Sequence, residues 1–93
     1  MAKKTKTLEE HLKFLGENIR KTRLEKKMTQ AELAIKSDLD KQSIFRIEKG
    51  QLNITVHTLF NIADALEVTT GKLMYGKWIF GFKVQKIIIR ADN

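Results

Sequence analysis

The segment from Thr29 to Gly50 limits most sharply what this 93-residue chain can fold into. Two short runs with helical hydrophobic spacing are separated there by Asp38-Leu39-Asp40. Asp38 is of a type that tolerates positive φ, and Asp40 is a favoured N-cap, so the tripeptide predicts a turn followed by a new helix. The segment therefore predicts two short helices joined by a tight turn.

The first of these helices is predicted to begin at Thr29, because Glu32 three residues later completes a capping-box pattern, and to end near Ser37. The residues assigned to its apolar face are Ala31, Leu33, Ala34 and Ile35. The second helix is predicted over residues 41–49, with Ile44 and Ile47 facing inwards and Gly50 as its C-terminal stop.

Three further helices are predicted around this pair. The first covers about residues 8–26 behind a Thr7–Glu10 capping box, another starts after Thr55, and a short one covers residues 70–75. The core residues expected from their spacing are Leu12, Leu15, Ile19, Leu59, Ile62, Ala63 and Leu66. Residues 1–7 are expected to form a mobile basic arm, so residues 8–76 constitute the predicted domain.

The charge of the chain favours a polyanionic partner. Lys and Arg number 18 against 11 Asp and Glu, a net charge of +7, and 13 of the basic residues lie in residues 1–50. No apolar run is long enough to span a membrane, and the first helix mixes Glu into its polar face and contains no Trp, which disfavours a membrane surface. Nucleic acid is therefore the favoured partner, in a cytoplasmic protein.

Catalysis is disfavoured by the residue types present. The chain has no Cys, His11 and His57 are far apart in sequence, and no Gly-rich phosphate loop or paired-ligand motif occurs. We therefore expect neither an enzyme nor a metal or other cofactor.

Several separated motifs resemble the Cro/lambda-repressor-like (XRE) helix-turn-helix family. They are Thr29-Gln30-Ala31-Glu32-Leu33-Ala34, Ser43-Ile44, Arg46-Ile47-Glu48-Lys49-Gly50 and the stretch from Asn53 to Leu66. The resemblance covers about residues 12–74. It implies a mainly α, five-helix lambda-repressor-like fold that binds double-stranded DNA, with its recognition helix in the major groove.

The resemblance also assigns site residues. It places base contacts in the recognition helix, at Lys41, Gln42, Ser43, Phe45 and Arg46. Arg suits the two acceptors of guanine and Gln suits adenine, whereas Phe45 departs from the family pattern. Two alternatives stay open for Phe45: contact with a thymine methyl group, or packing against the end of the preceding helix.

Phosphate contacts are implied on both sides of the recognition helix. The residues concerned are Thr29, Gln30, Lys49, Gln51, Asn53, Thr55 and His57. Capping remains the safer role for Thr29, and simple solvation is the favoured interpretation of His57. The family also implies an internal ion pair between Arg23 and Glu48, to which we assign a structural role.

The last part of the chain, residues 77–93, is rich in β-branched and aromatic residues and predicts a β-strand. A lone strand leaves unpaired edges, so we expect it to pair with a second subunit, as in HipB-type antitoxins. The residues assigned to dimerisation are Trp78, Phe80, Phe82, Val84, Ile87, Ile88 and Ile89. Folding back onto its own helices, or binding a partner protein, stay open.

The sequence thus predicts a dimeric transcription regulator, most simply a repressor, that recognises a pseudo-palindromic operator without a cofactor. The alternative is an antitoxin-like or other protein-interaction module that uses the C-terminal strand.

Overall fold

The computed structural model describes residues 7–76, and this part of the chain forms five helices joined by short turns and loops. They are α1 (Leu8–Glu25), α2 (Gln30–Lys36), α3 (Lys41–Glu48), α4 (Val56–Leu66) and α5 (Thr70–Tyr75). The predicted mainly α fold is confirmed, and α2 and α3 form the predicted helix-turn-helix. The basic N-terminal arm, apart from Thr7, and the C-terminal strand over residues 77–93 lie outside the described residues.

Each of the five helices begins at a side chain that caps it. The capping residues are Thr7, Thr29, Asp40, Thr55 and Thr69. In each case the side-chain oxygen accepts a hydrogen bond from a backbone N–H of the first turn, which would otherwise lack an intrahelical acceptor. Both predicted capping boxes, at the starts of α1 and α2, are present.

The core lies where all five helices meet. Its buried apolar residues are Ile19, Leu33, Ala34, Ile44, Ile47, Ile62, Ala63, Leu66 and Leu73. α1 packs on α3 and α5, whereas α2 packs on α3 and α4. Leu15 and Leu59 are half-buried against this cluster, and Leu12 is also half-buried.

The predicted apolar face of α2 was wrong for Ala31 and Ile35. Ala31 is exposed, and Ile35 is 79% exposed. The helix is only seven residues long, and the positions that point inwards are those of Leu33, Ala34 and the following Ser37. The Ser37 hydroxyl satisfies its hydrogen-bonding capacity locally, because it donates to the Leu33 carbonyl at 2.6 Å.

The turns after the first four helices share one local geometry. A residue with positive φ follows the last turn, and its N–H and the next N–H donate back to carbonyls of that turn, as in the Schellman motif. The positive-φ residues are Lys27, Asp38, Gly50 and Glu67. For α2, Asp38 N–H donates to Ile35 and Leu39 N–H donates to Ala34. The predicted roles of Asp38 and Gly50 are therefore confirmed.

Glu67 adopts this conformation at φ 60° without being a glycine. A left-handed backbone costs an L-residue roughly 1–2 kcal/mol, so Glu67→Gly should raise the free energy of unfolding by up to about 1 kcal/mol after the entropy cost of glycine. Urea denaturation monitored by circular dichroism measures the change. Glu67→Ala is the matched control, because it removes the same charge but keeps a Cβ. Equal stability of the two variants would contradict the prediction.

A glycine lets α1 approach the end of α3 closely. Gly16 is buried, and a Cβ added there would lie 2.7 Å from the carbonyl oxygen of Glu48. Two residues further on, the Asn18 side-chain amide donates to the Leu73 carbonyl at 2.7 Å and so ties α1 to the end of α5. α1 is thus fixed against both α3 and α5.

Candidate nucleic-acid interface

The outer face of α3 carries five exposed side chains in two rows. We call this set the recognition face; its members are Lys41, Gln42, Phe45, Arg46 and Lys49, the last being the C-cap residue. Ile44, Ile47 and Glu48 occupy the opposite side and are buried. Residues four apart stack along a helix, so one row is Lys41, Phe45 and Lys49, and the other is Gln42 and Arg46.

Ser43 belongs to the start of α3 rather than to its outer face. It is half-buried, and its backbone N–H donates to the Asp40 carboxylate at 2.6 Å. This hydrogen bond, with a second from the Ser43 hydroxyl, holds the pKa of Asp40 below its usual value. The Ser43 side chain thus helps to fix the first turn of the recognition helix.

A buried ion pair attaches α3 to α1. Arg23 Nε lies 2.6 Å from Glu48 Oε2, Arg23 Nη2 lies 3.0 Å from Glu48 Oε1, and both side chains are less than 10% exposed. The remaining guanidinium nitrogen, Nη1, donates to the Met28 carbonyl at 2.9 Å, just before the cap of α2. The internal ion pair implied by the sequence is therefore present and bidentate.

Gln30 joins this network, which the sequence did not predict. Its side-chain Nε2 donates to Glu48 Oε1 at 3.0 Å, so the carboxylate accepts from residues of both α1 and α2. Gln30 had been assigned to a phosphate contact. Its second Nε2 hydrogen and its backbone N–H at the start of α2 are the donors through which it can still contact a phosphate.

A groove beside the start of α2 brings together several groups suited to an anion. It is lined by Thr29, Gln30 and Lys41, all predicted site residues, and also by Lys27. Thr29 has a structural role as well, because its hydroxyl oxygen caps α2. The sequence did not predict Lys27 as a residue of this groove. Its position two residues before the cap of α2 is the feature that could have indicated it.

A second groove lies on the other side of α3, between the first turns of α1 and the loop after α3. Lys49, Gln51 and Asn53, which the family resemblance assigns to phosphate contacts, line it together. Glu9, Glu10 and Lys13 of α1 also line this groove. The acidic pair keeps the groove from being uniformly positive, so its positive charge comes from Lys13 and Lys49.

Thr55 and His57 lie outside both grooves. Thr55 caps α4, since its hydroxyl oxygen accepts from the Thr58 N–H at 3.1 Å. His57 is exposed, and its Nε2 lies 3.4 Å from the side-chain amide of Asn61 on the same helix. The seven residues assigned to dimerisation, from Trp78 to Ile89, lie outside the described residues.

A family model described as helix-turn-helix matches residues 19–73, more than half of the chain. This chain belongs to the XRE-type helix-turn-helix family. The matched residues run from the second half of α1 into α5 and include α2, α3, α4 and the groove at the start of α2. The resemblance found in the sequence is therefore confirmed.

A related sequence and two related structures agree with this assignment. The HTH-type transcriptional regulator y4dJ of Sinorhizobium fredii is 37% identical over 62 residues, which cover 67% of this chain and 80% of that protein. The restriction-modification controller protein C.AhdI of Aeromonas hydrophila has a TM-score of 0.66 and 31% identity, over 67% of this chain and 94% of the controller.

The controller protein C.Esp1396I has been solved as a tetramer in complex with its natural 35 base-pair operator. That structure matches with a TM-score of 0.64 and 39% identity, over 74% of this chain and 87% of the controller. The helix-turn-helix protein described here is thus a DNA-binding transcription regulator rather than an enzyme. No helix within residues 7–76 is long and apolar enough to cross a membrane.

Proposed function

We propose that this helix-turn-helix protein is a dimeric repressor that binds a pseudo-palindromic operator and contacts base edges in the major groove through α3. The observation that carries the proposal is the recognition face, whose side chains point outwards while its helix is fixed from behind by the core and by Glu48. A helix presented in this way has the width and polarity to enter the major groove.

The proposed base contacts follow from the side-chain chemistry. Arg46 has two donors for guanine O6 and N7, and Gln42 has the donor and acceptor that adenine N6 and N7 require. Lys41 occupies the first helical position and is directed outwards with them. Ser43 is half-buried, and its proposed base contact is made by its hydroxyl at the start of α3. Phe45 adds an apolar surface to the proposed base contacts.

The proposed phosphate contacts flank these side chains. On one side, Gln30, Thr29 and Lys27 surround the groove at the start of α2, and on the other, Lys49, Gln51 and Asn53 line the second groove. Contacts of this kind position the recognition helix but carry no sequence information. Thr55, the N-cap of α4, and His57, in its first turn, are proposed to add phosphate contacts outside the two grooves.

A dimer is proposed because a single recognition helix covers only one half-site. Two copies related by a two-fold axis would place their α3 helices about 34 Å apart, one turn of B-DNA. The operator complex of C.Esp1396I supports assembly on DNA, since that relative binds as a tetramer. We assign the pairing of subunits to residues 77–93, as the sequence predicts.

The test is selection of binding sites from a pool of random duplexes at two salt concentrations, followed by titration of the recovered site. We expect one short inverted repeat. Gln42→Ala and Arg46→Ala should each weaken binding to it by roughly 5- to 150-fold, since a bidentate base contact contributes about 1–3 kcal/mol of discrimination.

Lys21→Ala is the matched control for these variants, because Lys21 is exposed on α1 and lies outside both grooves. It should lower binding to specific and random duplexes equally. Weak, sequence-independent binding by the unaltered protein would contradict the proposed function and favour the alternative, a protein-interaction module. Recovery of a single half-site without its repeat would contradict the dimer alone.

A further inference from the structure

Phe45 is the large apolar side chain that α3 exposes. It is 45% exposed, whereas Ile44 and Ile47 of the same helix are almost completely buried. Burial of a Phe side chain is worth about 1.5–3 kcal/mol, so the exposed ring has apolar surface that a partner could still cover. Its place in the row between Lys41 and Lys49 puts it in the middle of the recognition face.

In the two grooves beside the ring, α2 contributes no apolar side chain to the lining. These grooves are lined by Gln30, Lys41 and Gln42 on one side and by Arg20, Gln30, Glu48 and Lys49 on the other. The α2 residue in this set is Gln30, which is polar and belongs to the first turn. Of the two alternatives considered from the sequence, packing on the end of α2 is therefore the less favoured.

Instead, the Phe45 ring lies close to the ammonium group of Lys49. Lys49 Nζ lies 5.5 Å from the centroid of the Phe45 ring, within the range of a cation–π interaction. This contact favours one orientation of the ring on the outer face of α3. Lys49 also lines the groove that is proposed to bind a phosphate. Its ammonium group can therefore contact both the Phe45 ring and the DNA backbone.

We infer that Phe45 contacts the 5-methyl group of a thymine and so makes the protein selective for a 5-methylpyrimidine at one position of each half-site. This inference rests on the proposed function. The thymine methyl is the one apolar substituent that the base edges present in the major groove. An aromatic ring without donors gains most from that group, and over any other base edge it would desolvate polar atoms without pairing them.

The neighbours of Phe45 indicate where this thymine lies. Gln42 and Phe45 line the same groove, and Gln42 is suited to adenine. Adenine pairs with thymine, so the two side chains can contact opposite strands of one A·T pair or of two adjacent pairs. The position contacted by Phe45 is therefore expected within one base pair of the position contacted by Gln42.

The experiment uses the full chain and the operator recovered by selection. Each thymine is replaced in turn by deoxyuridine, which removes one methyl group and keeps every hydrogen-bonding group. At one thymine per half-site, we expect replacement to weaken binding about fourfold, the value for burial of one methyl group. Replacement in both half-sites should weaken binding about 15-fold.

Phe45→Ala supplies the second arm of a double-mutant cycle. It should bind the thymine and uracil operators with equal affinity, while Phe45→Leu, which keeps an apolar side chain, should retain part of the difference. Thermal melting of both variants checks that the fold is unchanged, as expected for an exposed ring. Any general effect of uracil on the DNA cancels in the comparison.

Two outcomes would overturn the inference while leaving the proposed function intact. In the first, the protein binds its operator but no uracil position weakens binding. In the second, a uracil position weakens binding by the same factor in Phe45→Ala, which would assign the methyl contact to another residue. Failure to recover any operator would instead count against the proposed function itself.

Discussion

Replacement of Glu48 by Ala should lower the free energy of unfolding by about 3–5 kcal/mol, because it leaves the Arg23 guanidinium buried without a counter-charge. Glu48 accepts three hydrogen bonds, two from Arg23 and one from Gln30, and its side chain is only 3% exposed. A loss of this size is a large part of the 5–15 kcal/mol by which domains are usually stable. Urea denaturation at neutral pH measures it.

Glu17→Ala is the matched control, since it removes one negative charge from an exposed position on α1. It should change stability by no more than about 0.5 kcal/mol. The double variant Arg23→Met with Glu48→Met tests the cause, because it removes both charges and refills the space with apolar atoms. Recovery of most of the lost stability in the double variant is expected; a double variant no more stable than Glu48→Ala would contradict the explanation.

Replacement of Gly16 by Val should have the second large effect, a decrease of about 3 kcal/mol in the free energy of unfolding. A Cβ at this position would lie 2.7 Å from the Glu48 carbonyl oxygen and 2.9 Å from its carbonyl carbon. Those atoms belong to the backbone of α3, so relief of the clash requires the whole helix end to move. Gly16→Ala should lose less, about 1–2 kcal/mol, because it adds one carbon and gains helix propensity.

Gly71→Ala provides the comparison. Gly71 also lies in a helix, but within residues 7–76 an added Cβ would meet only the Thr69 hydroxyl, at 3.8 Å. Ala should therefore be neutral or stabilise the protein by up to about 1 kcal/mol at this position. Thermal and urea unfolding of the variants gives the order of stability. A Gly16→Ala variant as stable as Gly71→Ala would show that α1 does not need its close approach to α3.

The sequence predicted those features that depend on local chemistry. The capping boxes at Thr7 and Thr29, the positive φ of Asp38 and the stop at Gly50 were all anticipated, because each rests on hydrogen bonds within a few residues. The inward face of α3 followed from helical spacing. Recognition of the ion pair between Arg23 and Glu48 required the family resemblance, since 25 residues separate the two.

Other features depend on how helices meet and had no local signal. Ala31 and Ile35 are apolar and therefore suited to a core. A two-turn helix, however, packs only one narrow face against its neighbours, and both residues lie outside that face. The hydrogen bond from Gln30 to Glu48 depends on the crossing of α2 and α3. Lys27 and Glu67 adopt positive φ although residues of these types rarely do so.

The arrangement of α3 has a consequence for how proteins of this kind diversify. None of the five residues of the recognition face contributes to the buried apolar core or to the hydrogen-bond network around Glu48. In the proposed mode of binding, DNA preference and stability therefore depend largely on separate side chains of one eight-residue helix and its cap. Exchange of the outer side chains would then redirect the protein to a new DNA target at little cost in stability, so the scaffold would be modular at the level of single positions.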